Sequence, residues 1–431
     1  MTDLRTKKTP SWLRRNVAVF LTVEGLLSAA KAIPHAILTP LLMAKGLSLS
    51  DIAILQAVYS GVILVVEFPS GVLADLISRK KLFLYSKVVL AGFFAVAMLG
   101  NGMGWMCLAW VLYAVSSALD SGTIDSDIVN ALKDHSVDDA RVEVSRLVRR
   151  DNQVVLASML AASLVGSWLY LKIGYSIYIV SIGLAIVASL AIARYFQVCS
   201  EECASGETGG AALPPPNGAA GWSTVKDQAF DGFREISKSS ELQLFLMLSL
   251  ATQVFFQCHF QFWQAFFIAK RIPVGRLGLL YAAFQMIGVL VSHLSTDSWG
   301  FRGLRVRVFI AAPLLILLAM AAAQIENWLS LFPYMIFVGI FWILVNHANS
   351  EYRRYVSKKN ISTLTSLGSS VSRVGAVFTL LVVSRFISRY SPEWVIIGGF
   401  IVAVSLVLGA VASMVSDEHG SVLRRAHRGS W

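Results

Sequence analysis

Glu24, Lys31 and His35 are separated by seven and four residues inside a long apolar stretch, a spacing that places all three on one helix face. Asp120 and Asp127 share a face of another such stretch with Tyr113 and Ser117, while Asp125 points elsewhere. An ionisable side chain within a membrane segment costs about 2.5–3.5 kcal/mol to insert, so its presence asks for a compensating role. For Glu24 and Lys31 two roles stand open: a static pair that offsets two charges, or a site that binds a solute or exchanges a proton. A partly desolvated carboxylate holds a proton more readily than one in water, and a nearby ammonium opposes that tendency. For Asp120 a structural, hydrogen-bonded carboxylate is the alternative to a functional one.

Uncharged polar groups form further stripes. Gln253, Gln257, Gln261 and Gln264 recur on one side of a helix, flanked by Phe256, Phe260 and Trp263. Amides turned to lipid lose their hydrogen bonds to water, which argues for an aqueous or protein-lined cavity. Trp342, Asn346 and Asn349 repeat the arrangement beside His347, and Ser362, Ser366, Ser369 and Arg373 make a third stripe. Any one stripe is also explained as glue between helices. Three together describe a passage of amides with aromatic walls, suited to an organic solute. His259 and His293 read as core histidines. Glu67 precedes Pro69-Ser70-Gly71, where a missing N–H and small residues permit a bend, so it reads equally as an anchor or as part of a gate.

These residues must be positioned by membrane helices. Of 431 residues 56% are hydrophobic and 15% charged, with a mean hydropathy of +0.64, whereas soluble domains carry about 25% charge. Apolar stretches at 16–44, 52–74, 82–101, 103–124, 152–171, 173–193, 242–269, 277–296, 308–325, 327–350, 360–384 and 394–416 predict twelve transmembrane helices. No sustained two-residue alternation supports a transmembrane barrel. The first stretch is too long for a signal peptide and reads as a retained helix. Four scattered cysteines without accompanying ligand spacing point to no metal site, and no phosphate-binding loop or zinc-protease motif points to an enzyme.

The net charge of +11 raises the question of nucleic acid, which the placement of the basic residues answers. With the N-terminus cytoplasmic, 27 of the 37 Lys and Arg fall inside, seven fall outside and three lie within spans. That bias predicts both termini cytoplasmic by the positive-inside rule, and no nucleic-acid partner. The outside seven are Lys45, Lys172, Lys270, Arg271, Arg276, Arg385 and Arg389, of which the Lys270/Arg271/Arg276 cluster argues against the assignment. A Gly/Pro/Ala-rich connector divides the spans six and six. The expected organisation is a six-helix bundle over 1–196, a cytoplasmic linker over 197–240, a second six-helix bundle over 241–418 and a tail over 419–431. Residues 223–239 have the pattern of an amphipathic helix on the inner membrane face.

The segment Glu67-Phe68-Pro69-Ser70-Gly71-Val72-Leu73-Ala74-Asp75-Leu76-Ile77-Ser78-Arg79-Lys80 resembles the signature loop of the major facilitator superfamily, especially its twelve-helix drug:proton antiporters. Gly71, Leu73, Ala74, Asp75, Arg79 and Lys80 match the pattern, and Ser78 stands where a second glycine is usual. Ser121-Gly122-Thr123-Ile124-Asp125 is similar to the helix-four segment of that group. The resemblance implies an all-α fold of two six-helix halves that rock around a cavity lined by helices one, four, seven and ten. It implies a cytoplasmic latch in which Asp75 meets the start of helix eleven and Arg79 pairs with Asp127 or Asp125.

The function expected on these grounds is proton-coupled export of an amphipathic organic compound from a bacterial cytoplasmic membrane. Glu24 and Asp120 are the candidate proton carriers. Lys31, His35, Tyr113, Ser117, Gln253, Gln257, Phe260, Gln261, Trp263, Gln264, Trp342, Asn346, Asn349 and Arg373 are the candidate cavity residues. Glu67, Gly71, Asp75, Arg79, Lys80 and Asp127 are the candidate gate. No cofactor is expected beyond the proton gradient, and the expected partners are the lipid bilayer, protons and the solute, with the protein a monomer. A symporter or facilitator for a small polar metabolite is the alternative.

Overall fold

Backbone that meets lipid must satisfy its own hydrogen bonds, so the apolar stretches form helices. The computed structural model describes residues 10–135, 140–197, 240–294, 300–355 and 361–428, and no strand occurs among them. The helices are α1 (Ser11–His35), α2 (Leu38–Ala44), α3 (Leu49–Leu76), α4 (Arg79–Leu99), α5 (Gly102–Asp120), α6 (Ile124–His135), α7 (Ala140–Ile173) and α8 (Ile177–Tyr195). They continue as α9 (Ser240–Ala269), α10 (Leu277–His293), α11 (Gly300–Gln324), α12 (Leu331–Tyr355), α13 (Ile361–Ile387) and α14 (Pro392–Arg428). Each of the twelve predicted stretches falls on one or two of them.

Nine stretches among the described residues are long and apolar enough to cross a membrane. One of the nine, Val142–Tyr195, runs through α7 and α8 and covers two of the predicted spans. The predicted spans at 242–269 and 360–384 fall on α9 and α13, outside those nine. The chain is a multi-pass, all-helical membrane protein.

Two predicted spans are broken. The first, 16–44, divides into α1 and α2 beside Pro34, whose ring nitrogen cannot extend the hydrogen-bond ladder. The fourth divides at Ser121–Thr123: Ser121 is extended, Gly122 takes a φ of 72°, and Thr123 Oγ1 donates to the Asp120 carbonyl at 2.7 Å. A left-handed residue ends a helix, and glycine adopts it without a Cβ penalty. Asp120 therefore closes α5 while Asp127 lies in α6. The expectation that both acids share one helix face is corrected.

The described chain forms two compact units, Met1–Ser205 with Ile272–Val289, and Gly206–Arg271 with Leu290–Trp431. In the first, α1 packs on α7 and α8, and α4 packs on α5 and α8. In the second, α9 packs on α13 and α14, and α11 packs on α12 and α14. The contacts of α1 and α4 in the first unit recur for α9 and α11 in the second, whereas α3 packs on α5, and α10 up to Val289 falls in the first unit. Close approach in the first unit depends on glycine: a Cβ on Gly166 would stand 2.3 Å from the Ile33 carbonyl oxygen, and one on Gly278 equally close to the Ser163 carbonyl oxygen. Small residues allow such contacts where lipid removes any hydrophobic drive between helices. The second unit fills its core with rings: Phe255, Phe337, Phe341 and Phe400 meet at centroid distances of 4.3–6.0 Å.

The corresponding turns of the two units each bury a lysine as a helix cap. Lys45, after α2, donates to the carbonyls of Met98 at 2.9 Å and Gly100 at 2.6 Å, where α4 ends, and lies over the Tyr175 ring. Lys270, after α9, donates to the Ala323 carbonyl at 2.5 Å, where α11 ends, and stands 3.6 Å from Glu326. The last carbonyls of a helix have no partners within it and favour a cation. Two of the seven basic residues counted outside are thus buried caps, while the other five are exposed. The linker at 198–239, its amphipathic stretch included, lies outside the described residues.

Candidate functional site

The first unit collects charges. Lys87 on α4 is 2% exposed and places its Nζ 2.5 Å from Oδ1 of Asp120, the last residue of α5. Local hydrogen bonds fix this register: Ser86 Oγ donates to the Phe83 carbonyl, and Ser116 Oγ donates across to the Ser86 carbonyl, at 2.7 and 2.9 Å. The Lys87 ammonium also lies 4.3 Å from the Phe83 ring centroid, a contact that favours a cation where water is scarce. Glu24, half-buried on α1, is within electrostatic reach of Asp120, Lys31, Lys87 and, on α7, Asp151. Glu24, Lys31, Lys87 and Asp120 make a quartet of zero formal charge on α1, α4 and α5.

An aromatic wall adjoins the quartet. Tyr113 stacks on Phe93 at 4.7 Å and 17°, and meets Tyr59 at 4.9 Å. Tyr59 donates its hydroxyl to Ser117 Oγ at 3.2 Å. His35, one helical turn after Lys31, meets Tyr281 of α10 edge-on at 5.7 Å. Lys87, Tyr59 and Tyr281 are missing from the sequence-derived set. The signal for Lys87 was present, since an ammonium within span 82–101 carries the same insertion cost that drew attention to Glu24. The two tyrosines give no such signal, because tyrosine is common in membrane segments.

The second unit collects amides and rings. Gln253, Gln257 and Gln261 on α9 are half-buried, and Gln257 Nε2 donates to Gln253 Oε1 at 3.3 Å. Phe256 lies 5.1 Å from Trp342 of α12, and Phe260 lies 6.4 Å from it at near right angles. Asn346, one helical turn after Trp342, is half-buried, as is Arg373 on α13. Trp263 and Gln264 are more deeply buried, at 1% and 2% exposed. Both lie past the point where successive turns of α9 have carried the stripe into the packed interior. The Asn349 side chain lies outside the described residues. His259 is a core histidine, with Nδ1 3.1 Å from the Tyr334 hydroxyl and its ring stacked on Phe255. His293 is exposed, against the expectation of a core position.

At the signature segment Arg79 Nη1 meets Asp127 Oδ1 at 2.9 Å, both about one-third exposed. Asp125 is exposed and does not take that role. Lys80 donates to the carbonyls of Ala193 and Phe196 at 3.0 and 2.8 Å, which caps α8. Glu67 is exposed on α3, and the side chains of Gly71 and Asp75 lie outside the described residues.

No family model and no curated protein matches the sequence. Solved structures do match the fold. The nucleoside transporter NupG aligns with a TM-score of 0.70 at 11% identity, over 94% of this chain and 99% of that one. A bacterial homologue of the human lysosomal transporter Spinster, inward-facing and unoccupied, aligns at 0.67 and 13% identity, over 94% and 96%. The POT-family transporter PepTSo aligns at 0.65 and 13% identity, over 98% and 100%. The fold is the major facilitator fold. Major facilitator halves are parallel repeats, which accounts for the neighbours that α1 shares in kind with α9 and α4 with α11, and for the lysine caps at equivalent turns. At such low identity the similarity carries the fold alone.

Proposed function

We propose that this chain is a secondary transporter that exports an amphipathic organic compound across a bacterial cytoplasmic membrane in exchange for protons, with both termini cytoplasmic. The observation that carries the reading is the Lys87–Asp120 ion pair with Glu24 in reach, inside a membrane-spanning bundle. A buried pair is maintained only while both partners keep their charge. A proton arriving on Asp120 or Glu24 leaves the quartet with one excess positive charge, which repels a cationic solute and loosens the bond between α4 and α5. Deprotonation restores neutrality and the attraction for such a solute. Each proton entering down a 100 mV potential supplies about 2.3 kcal/mol to this cycle. Alternating access then requires no covalent step. The Arg79–Asp127 pair acts as part of the cytoplasmic latch, and the amides and rings of the second unit recognise the solute.

Those uncharged amides and rings favour a second reading, a proton symporter for a small polar aromatic metabolite, in keeping with the nucleoside transporter among the similar structures. Uptake into proteoliposomes under imposed pH gradients of either sign separates the two, because an antiporter accumulates solute against the proton flow and a symporter with it. If Glu24→Gln and Asp120→Asn both retain gradient-driven transport, the assignment of the coupling groups fails.

A further inference from the structure

A groove of about 570 Å³ opens on the second unit between α13 and α14, with α9 as its floor. The two wall helices lean on α9 far more than on each other. The groove is lined along α13 from Gly375 to Phe386 and along α14 from Trp394 to Leu406. These stretches advance eleven and twelve residues, about 16–18 Å at 1.5 Å per residue. That is about half of the roughly 30 Å hydrocarbon thickness, the depth of one leaflet. The lining is almost wholly aliphatic and aromatic, so water would find few partners in it.

The end at the α13–α14 turn has a different character. Tyr390 and Trp394, 61% and 48% exposed, stand there, and such rings mark the level of the lipid headgroups. Arg385 and Arg389, both exposed, lie in sequence beside Phe386 and Tyr390 of the lining and supply positive charge at that level. The floor depends on absent side chains. A Cβ on Gly399 would stand 2.2 Å from Cys258 Sγ, whereas one on Gly398 meets nothing within 4 Å.

We infer that this groove binds one acyl chain of an anionic phospholipid from the leaflet on the side of the α13–α14 turn, with the headgroup phosphate held by Arg385 and Arg389. The length matches one leaflet, the lining matches a hydrocarbon chain, and the rim, with Arg385 and Arg389 against the single carboxylate of Glu393 beside Trp394, keeps a net positive charge for an anionic head. The site lies wholly within the second unit and is independent of the charged quartet.

Native mass spectrometry of the delipidated full chain in mild detergent, titrated with phosphatidylglycerol or with phosphatidylethanolamine of the same chains, tests the inference. Wild type is expected to take up one phosphatidylglycerol, with at least threefold preference over phosphatidylethanolamine. Gly398→Trp fills the open space and Val402→Trp narrows the groove from its exposed wall; each is expected to lower occupancy at least tenfold while the unfolding temperature stays within a few degrees of wild type. Arg385→Gln with Arg389→Gln is expected to abolish the headgroup preference and leave chain binding. Equal occupancy in wild type and both tryptophan variants overturns the site, and equal binding of the two lipids by wild type overturns the anionic assignment. A dimer of wild type that Gly398→Trp converts to monomer shows a second copy of the chain in the groove and likewise overturns the lipid.

Discussion

The two units share a pattern of helix neighbours and a buried lysine cap, yet differ in what they place within the membrane. The first holds Glu24, Lys31, Lys87 and Asp120, while the second, over the apolar spans 242–269 and 327–350, holds amides and rings without a carboxylate in sequence. A charge in a low dielectric needs a partner of opposite sign, which the α4–α5 contact provides. Trp342 and the glutamines offer surface and directional donors, the features that recognition of an organic solute would need. On the function proposed above, the duplicated scaffold would divide the labour, with energy coupling in the first unit and binding in the second.

The sharpest way to break that division is at Asp120. Asp120→Asn leaves the Lys87 ammonium buried without its counter-ion, and an orphaned buried charge costs about 3–5 kcal/mol. Thermal unfolding should show a large loss of stability, and gradient-driven uptake should fall at least tenfold. The double variant Lys87→Met/Asp120→Leu should recover the stability but not the gradient response. Full gradient response in the double variant would show that the pair is purely structural.

Trp342→Ala tests the other side of the comparison. Loss of this ring should raise KM roughly tenfold, about 1.4 kcal/mol, with the dependence on the pH gradient unchanged in radiotracer uptake. A changed gradient dependence with unchanged KM would reverse the assignment of roles between the units. The caps should behave alike despite the units' different chemistry. Lys45→Met and Lys270→Met should each lower stability by about 1–2 kcal/mol through unsatisfied helix-end carbonyls, and neither should alter the gradient dependence. The smallest effect is expected at the latch: Arg79 and Asp127 are partly exposed, so a double-mutant cycle on unfolding should give a coupling below about 1 kcal/mol. Uptake rate, rather than stability, is the measurement on which Arg79→Gln should register.

Much of the fold is legible in single residues. Long apolar stretches admit only helices in lipid, and the Arg79 guanidinium needs an acid that the motif resemblance narrowed to Asp127 or Asp125, of which the structure pairs it with Asp127. Glu24 and Asp120 stood out because a charge in an apolar run is costly wherever it ends up. Asp127 could not be separated from Asp120 in sequence, since their seven-residue spacing describes one face only while the helix is continuous, and Gly122 interrupts it. Likewise Trp263 and Gln264 continue the glutamine stripe by spacing but are buried, because spacing defines a face and not what covers it.

Composition and periodicity alone determined that this chain is a bundle of membrane helices with a few expensive polar groups, because solvent and backbone hydrogen bonding leave no other arrangement. Only the tertiary structure decided which charges meet. Lys87 faces Asp120 because α4 and α5 are held in one register by Ser86 and Ser116, and Lys45 and Lys270 are caps because distant helix ends come to rest beside them. Such pairings depend on separations of a few ångströms between residues far apart in the chain, and local sequence has no term for that distance.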